Sequence, residues 1–292
     1  MTTHAAATAA HVRDEVARDL VGRRRELDLV LAAVTAGRDV LLEGPPGTSK
    51  STILRSITAA WGVPFVLVEG NADLTPARLV GHHNPARVLQ EDYSAANFVP
   101  GPLIQAMESG GFLYIEELNR APEDTLNTLL GAMAERQVAL PRVGTIIAGA
   151  SFRVLASMNP FDNVGTARIS ASVYDRWCRL ALGYQSAEEE AAIVAVRTGS
   201  TDEALISDAV ALTRATRSHP DLRRGSSVRG AIDLVSVAEA LAGVRGRDGY
   251  ADRVLDAAHL ALSARIAVDE TVDSTPEQVI AELWDRLPKK GA

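Results

Sequence analysis

Cysteine is almost absent: Cys178 is the single one among 292 residues, which excludes an internal disulfide framework and fits a reducing compartment. Aromatic residues are scarce at 4%, and no apolar run approaches the roughly eighteen residues that a membrane span requires. The opening stretch MTTHAAATAAHVRDEV has no basic region followed by an apolar run, so neither a secretory leader nor membrane insertion is expected, and the expected location is cytoplasmic. Positive charge is in deficit. The formal net charge of -7 repels nucleic acid at long range and disfavours obligate DNA binding, although a local basic surface would still serve. Internal repeats and low-complexity linkers are missing as well. What remains is ordinary for a folded chain, with 47% hydrophobic and 23% charged residues, at a length that suggests one large domain or two modest ones.

Three stretches follow from the punctuation. Residues 1–20 are Ala-rich and polar, with Val12, Val16 and Leu20 as their apolar positions, and read as a helical or frayed arm. Over residues 21–185, short apolar runs alternate with helical patterns: VLL at 40–42, FVLV at 65–68, FLYI at 112–115 and RVLASM at 153–158. Buried strands separated by helices make an α/β fold with a central parallel sheet. Over residues 186–292 the strand signal disappears. Ser186 with Glu189 forms a capping box, and Thr275, Pro276 and Gln278 mark another helix start, so this region reads as small and all-helical.

Chemistry enters with GPPGTSKS at 44–51. A phosphate-binding loop runs Gly, four residues, Gly, Lys, Ser or Thr, and here Ser49 stands in place of the second glycine. The context is right, because a strand precedes the loop and Ser51 opens a helix with Ile53, Leu54, Ile57 and Trp61 on one face. Backbone N–H groups and the positive helix end would surround a β-phosphate; Lys50 would neutralise β and γ charge, and Ser51 would ligate magnesium. Gly44, Pro45, Pro46, Gly47, Thr48, Ser49, Lys50, Ser51 and Thr52 are the expected nucleotide-binding residues. Farther on, GGFLYIEELNRAP ends an apolar strand in two acids, whose side chains alternate in direction along a strand. Glu116 would hold the magnesium shell and Glu117 would orient water. The usual metal-side acid is aspartate, so Glu116 is one methylene longer, which a coordinated water can absorb.

GPPGTSKS, IEELNRAPEDTLNTLLGAMAERQV, SMNPFDNVGT and GSSVRGAIDL together resemble the MoxR branch of AAA+ ATPases, over residues 21 to about 268. The phrase ELNRAP is the most specific part. The resemblance implies an AAA+ P-loop NTPase domain followed by a helical lid, with ATP and Mg2+ as cofactors. Members commonly carry alanine at the second loop glycine, which implies that a small residue such as Ser49 is tolerated. It also implies that Asn159 is the polar sensor, Arg176 the finger acting on a neighbour's nucleotide, with Arg168 as its rival, and Arg229 the second sensor.

The resemblance further implies ATP hydrolysis in a ring, a hexamer, that remodels or matures a client protein, often with a von Willebrand factor A domain partner and sometimes in cofactor insertion or metal-centre activation. The segment VGHHNPARV and the stretch ALPRVGTIIAGASF correspond in the family to inserted loops or a hairpin facing the pore or a partner. His82 and His83 lack recognised metal spacing. Arg23, Arg24 and Arg25 read as a solvated face, and Leu126, Leu129, Leu130 and Met133 as core. Two other readings stay open. One is a non-hydrolysing ATP switch or scaffold, prompted by Ser49 and Glu116. The other is a nucleic-acid motor, against which residues 81–100 hold one arginine and two acids.

Overall fold

The computed structural model describes residues 9–18, 20–91, 94–160, 174–245 and 249–288. The chain forms two compact units, Met1–Pro45 with Ser49–Gly183, and Pro46–Thr48 with Tyr184–Ala292.

In the first unit the strands are β1 (Val40–Glu43), β2 (Phe65–Glu69), β3 (Gly81–His83), β4 (Phe98–Pro100), β5 (Phe112–Glu116), β6 (Gln137–Leu140), β7 (Gly144–Ile147), β8 (Arg153–Met158) and β9 (Cys178–Ala181). Five of them make one parallel sheet in the order β2-β5-β8-β1-β9. The three inner strands are apolar and buried almost throughout, whereas β2 and β9 at the edges are largely exposed. Alternation along the inner strands divides the core between the two faces. Leu41, Leu113, Ile115, Val154 and Ala156 join helices Pro102–Ser109 and Glu123–Glu135, the latter through Leu126, Leu129, Leu130 and Met133. Val40, Leu42, Phe112, Tyr114 and Leu155 face helices Arg24–Thr35 and Lys50–Trp61, with Ile53, Leu54 and Ile57.

Residues before the sheet are better anchored than an arm. Helix Ala9–Val16 buries Val12 and Val16, and Leu20 joins them in the second of these clusters. Arg23 departs from the solvated reading: it is buried, and its Nη2 donates to the Gly183 carbonyl at 2.6 Å, while Arg24 and Arg25 are exposed. A polar group at that depth is retained because it is hydrogen-bonded. Outside the main sheet, β3 pairs with β4 and β6 with β7, each antiparallel. His82 points out while His83 meets Phe98 edge-on.

The second unit packs helices Ala187–Thr198, Glu203–Ala215, Val228–Arg245, Tyr250–Leu262 and Pro276–Arg286 around Leu234, Val235, Ala258, Ile280 and Trp284. Capping boxes form at Ser186 with Glu189 and at Thr275 with Gln278. Buried Glu190 is held by Arg217 at 2.8 Å and Arg214 at 3.2 Å. One strand pair interrupts the helices: β10 (Leu222–Arg224) lies antiparallel to β11 (Ala267–Val268). Strands of three and two residues are too short to leave a periodic signal.

Register decides what the first unit can present. Glu43 lies opposite Met158, Ile115 opposite Ala156, and Glu69 opposite Glu116, so the loops leaving β1, β5, β8 and β2 emerge along one edge. Crevices outside the carboxyl ends of parallel strands are where such sheets bind ligands. Gly70, just past β2, secures that edge: its N–H donates to the Glu116 carbonyl at 2.7 Å, and a Cβ there would overlap the Glu117 carbonyl oxygen. Gly70→Ala is expected to cost about 1–3 kcal/mol through this overlap. Urea denaturation measures it as a lower midpoint at constant slope, and an unchanged midpoint would show that the corner yields freely.

Candidate functional site

Between Glu43 and helix Lys50–Trp61 the loop turns back on itself. Ser49 has φ 67° and ψ 16°, the left-handed region in which glycine is free and other residues pay roughly 1–2 kcal/mol. That conformation explains both why glycine is the ordinary occupant and what the serine costs. Ser49 makes no side-chain cap, so no side chain of its own covers the first N–H groups of the helix. Lys50 Nζ donates to the Gly44 carbonyl at 2.6 Å and the Pro45 carbonyl at 2.8 Å. The Gly44 N–H donates to the Met158 carbonyl at 3.2 Å, which fastens the loop to the end of β8. Thr48 is buried and Pro46 and Thr52 are exposed.

The acids sit across the end of β8. Glu116, the last residue of β5, accepts from the Ser51 hydroxyl and pairs with Arg55 Nη2 at 2.9 Å. Burial pushes the Glu116 carboxyl up, but the bonds from Ser51 and Arg55 and the Arg55 charge outweigh it and hold the group below the ordinary glutamate range. Glu117 departs from strand alternation. Its backbone turns left-handed, φ 53° and ψ 49°, and its carboxylate pairs with Arg120 one helical turn on. The direction of Glu117 is thus set by a backbone corner rather than by the pleat. Buried Asn119 donates from Nδ2 to the Asn159 carbonyl at 3.1 Å, tying the acidic turn to the residue that follows β8.

Gly44, Lys50, Ser51, Glu116, Glu117 and Asn159 therefore share one edge of the sheet. Arg176 does not: it is exposed in the turn before β9, whose first residue pairs with Val40 at the start of β1, and so it lies at the opposite edge. Arg168 lies outside the described residues. Arg229 belongs to the second unit, exposed in the first turn of helix Val228–Arg245. Sequence reasoning passed over Arg55, Gly70, Asn119 and Arg120. Arg55 was findable, since it stands four residues after Ser51 on one helical face, whereas Gly70 shows no signal without the neighbouring strand.

The donor set suits magnesium. A hydroxyl and a carboxylate already touch, both hard oxygen ligands, and magnesium is ordinarily held by one or two such groups together with substrate phosphates. Among the described residues no group of three or more His, Cys, Asp or Glu could hold a metal without such help. The loop suits a polyphosphate for the complementary reason: a lysine ammonium rests on loop carbonyls beside a helix start.

Comparison with known proteins agrees with this architecture. A family model described as AAA domain (dynein-related subfamily) matches residues 39–177, from just before β1 to just before β9. The chain is 28% identical over 264 residues to the YeaC protein of Bacillus subtilis, covering 80% of this chain and 79% of that one. It is 27% identical over 269 residues to chaperone MoxR1 of Mycobacterium tuberculosis, covering 80% and 68%. A crystal structure from Cytophaga hutchinsonii has a TM-score of 0.52 at 24% identity, covering 96% of each chain, a likeness of fold. With the loop, the acidic pair and the strand order in place, the chain carries an AAA domain and is similar to proteins named MoxR.

Proposed function

We propose that the protein hydrolyses ATP in a ring, a hexamer, and uses the cycle to remodel or mature a client protein in the cytoplasm. The observation that carries this reading is the contact of Ser51 with Glu116 beside the Lys50 loop. Loop N–H groups from Gly44 to Thr52 would hold the phosphates, and Lys50 would leave the Gly44 and Pro45 carbonyls for them. Ser51 and Glu116 would hold magnesium, which would supply positive charge against that of the phosphates. Glu117, released from Arg120, would orient the attacking water, and Asn159 would hold it from the neighbouring strand end. Arg176 cannot reach its own loop across the sheet, which supports a site completed by a second copy. Arg229 would sense nucleotide from the lid, residues 186–292. The chaperone name of the mycobacterial relative supports a client; a von Willebrand factor A domain partner, with metal-centre or cofactor insertion, follows from the family resemblance.

A second reading, an ATP-dependent switch with little turnover, is favoured by the pairing of both acids with arginines, Glu116 with Arg55 and Glu117 with Arg120.

Phosphate release against protein concentration separates the two. Magnesium-dependent turnover should rise as rings form, and Arg176→Ala should retain nucleotide binding while hydrolysis falls by roughly three orders of magnitude; a rate independent of concentration would argue for the switch. Glu117→Gln should bind ATP without turning it over, and Lys50→Ala should lose binding itself, measured with a fluorescent ATP analogue; wild-type turnover in Lys50→Ala would defeat the loop assignment. Ser49→Gly should leave hydrolysis intact and raise stability by up to about 1 kcal/mol in denaturant titration, because it relieves the left-handed serine. A loss of activity there would mean that the hydroxyl acts in the site.

A further inference from the structure

Beneath the contact of Ser51 with Glu116 lies the hydroxyl of Tyr114. Tyr114 and Glu116 are two residues apart on β5 and so share one face of the sheet. Among the described residues Tyr114 is the one tyrosine that is fully buried. Its ring packs in the cluster that holds Ile53, Leu54 and Ile57, and stacks on Phe65 of β2 with the centroids 6.1 Å apart. Phenylalanine would satisfy both contacts. The hydroxyl adds a polar group at full depth, which costs stability unless it is hydrogen-bonded.

Those bonds lead to the nucleotide edge. The phenol oxygen lies 3.0 Å from Ser157 Oγ, itself buried on β8, and the same hydroxyl also bonds to Ser51 and Glu116. Ser157 immediately precedes Met158, whose carbonyl accepts the Gly44 N–H and so fastens the phosphate loop. Ser51 already donates to Glu116, and an ionised carboxylate only accepts. The phenol proton is therefore directed at that pair, and Ser157 gives its own proton to the phenol oxygen.

Glu116 needs such a partner more than aspartate would, because its extra methylene adds a rotatable bond. Arg55, its ion-pair partner, is half exposed on a long side chain and holds the carboxylate loosely. The phenol is the rigid one, clamped between Phe65 and Ser157 inside the sheet. We propose, resting on the magnesium reading of Ser51 and Glu116 above, that Tyr114 is a positioning residue: its hydroxyl, oriented by Ser157, fixes the Glu116 carboxylate and the Ser51 hydroxyl for a divalent cation bound together with nucleotide. Partners that orient metal ligands in this way commonly carry a large share of the metal affinity.

A fluorescent ADP analogue tests this without turnover, through the gain in its affinity when Mg2+ replaces EDTA. Tyr114→Phe should reduce that gain about tenfold and leave affinity in EDTA within about twofold of wild type. A ring needed only for packing would leave the Mg2+ gain alone. In a Glu116→Asp background, where the shorter acid stands back from the pair, the same substitution should alter the gain by no more than about twofold, since residues that act through one another are not additive. An unchanged Mg2+ gain in Tyr114→Phe, an equal loss in EDTA and in Mg2+, or full additivity with Glu116→Asp would overturn the proposal. Should urea denaturation show Tyr114→Phe to be unfolded, Ser157→Ala, which keeps the phenol but removes what orients it, carries the same expectation, and a wild-type gain there would overturn it. Wild-type protein whose affinity does not rise with Mg2+ would sink the magnesium reading itself, and this proposal with it.

Discussion

The bond between the Ser51 hydroxyl and the Glu116 carboxylate joins elements that are not neighbours. Ser51 follows β1 and Glu116 ends β5, and β8 lies between them. Adjacent strands stand about 4.8 Å apart, so the two must meet across about twice that distance beyond the end of β8. The structure satisfies this in two ways. The Gly44 N–H closes on the Met158 carbonyl, which draws the loop over β8. The extra methylene of Glu116 then carries a carboxylate far enough to offer one oxygen to Ser51 and the other to Arg55. Glutamate in a position where aspartate is expected is thus consistent with a longer reach rather than with a lost ligand.

The corner after Glu116 depends on the same crossing. Once β5 ends, Glu117 must leave the plane of the sheet at once, and its left-handed backbone does this without glycine. Gly70 from one side and Asn119, through the Asn159 carbonyl, from the other hold the corner in place. Strain of this kind persists where the surroundings over-determine it, and such positions cluster at functional sites.

Most of the framework was legible because it rests on repeated apolar spacing. The VLL, FLYI and RVLASM runs became the three buried strands, and the Leu126 to Met133 face became core. The two capping boxes were readable because each is a local exchange of hydrogen bonds. What escaped was set by partners distant in sequence. Three consecutive arginines look solvated, yet Arg23 is buried on the Gly183 carbonyl. Val12, Val16 and Leu20 look too sparse to pack until the helix of the phosphate loop is beside them. Glu117 reads as a strand residue until the corner is seen.

At the loop edge of the sheet, acids already have arginine partners: Glu116 with Arg55, Glu117 with Arg120, and buried Glu43 with Arg179. The first two pairs are partly exposed, and pairs of that kind contribute about 0–1 kcal/mol. A ligand can therefore displace them at little cost, leaving acids that were never deeply stabilised by their partners. The Glu43 pair differs, because Glu43 is almost fully buried; breaking it would strand a charge beneath the loop. The loop can consequently rearrange above a fixed base, with Arg55 and Arg120 as the parts that yield.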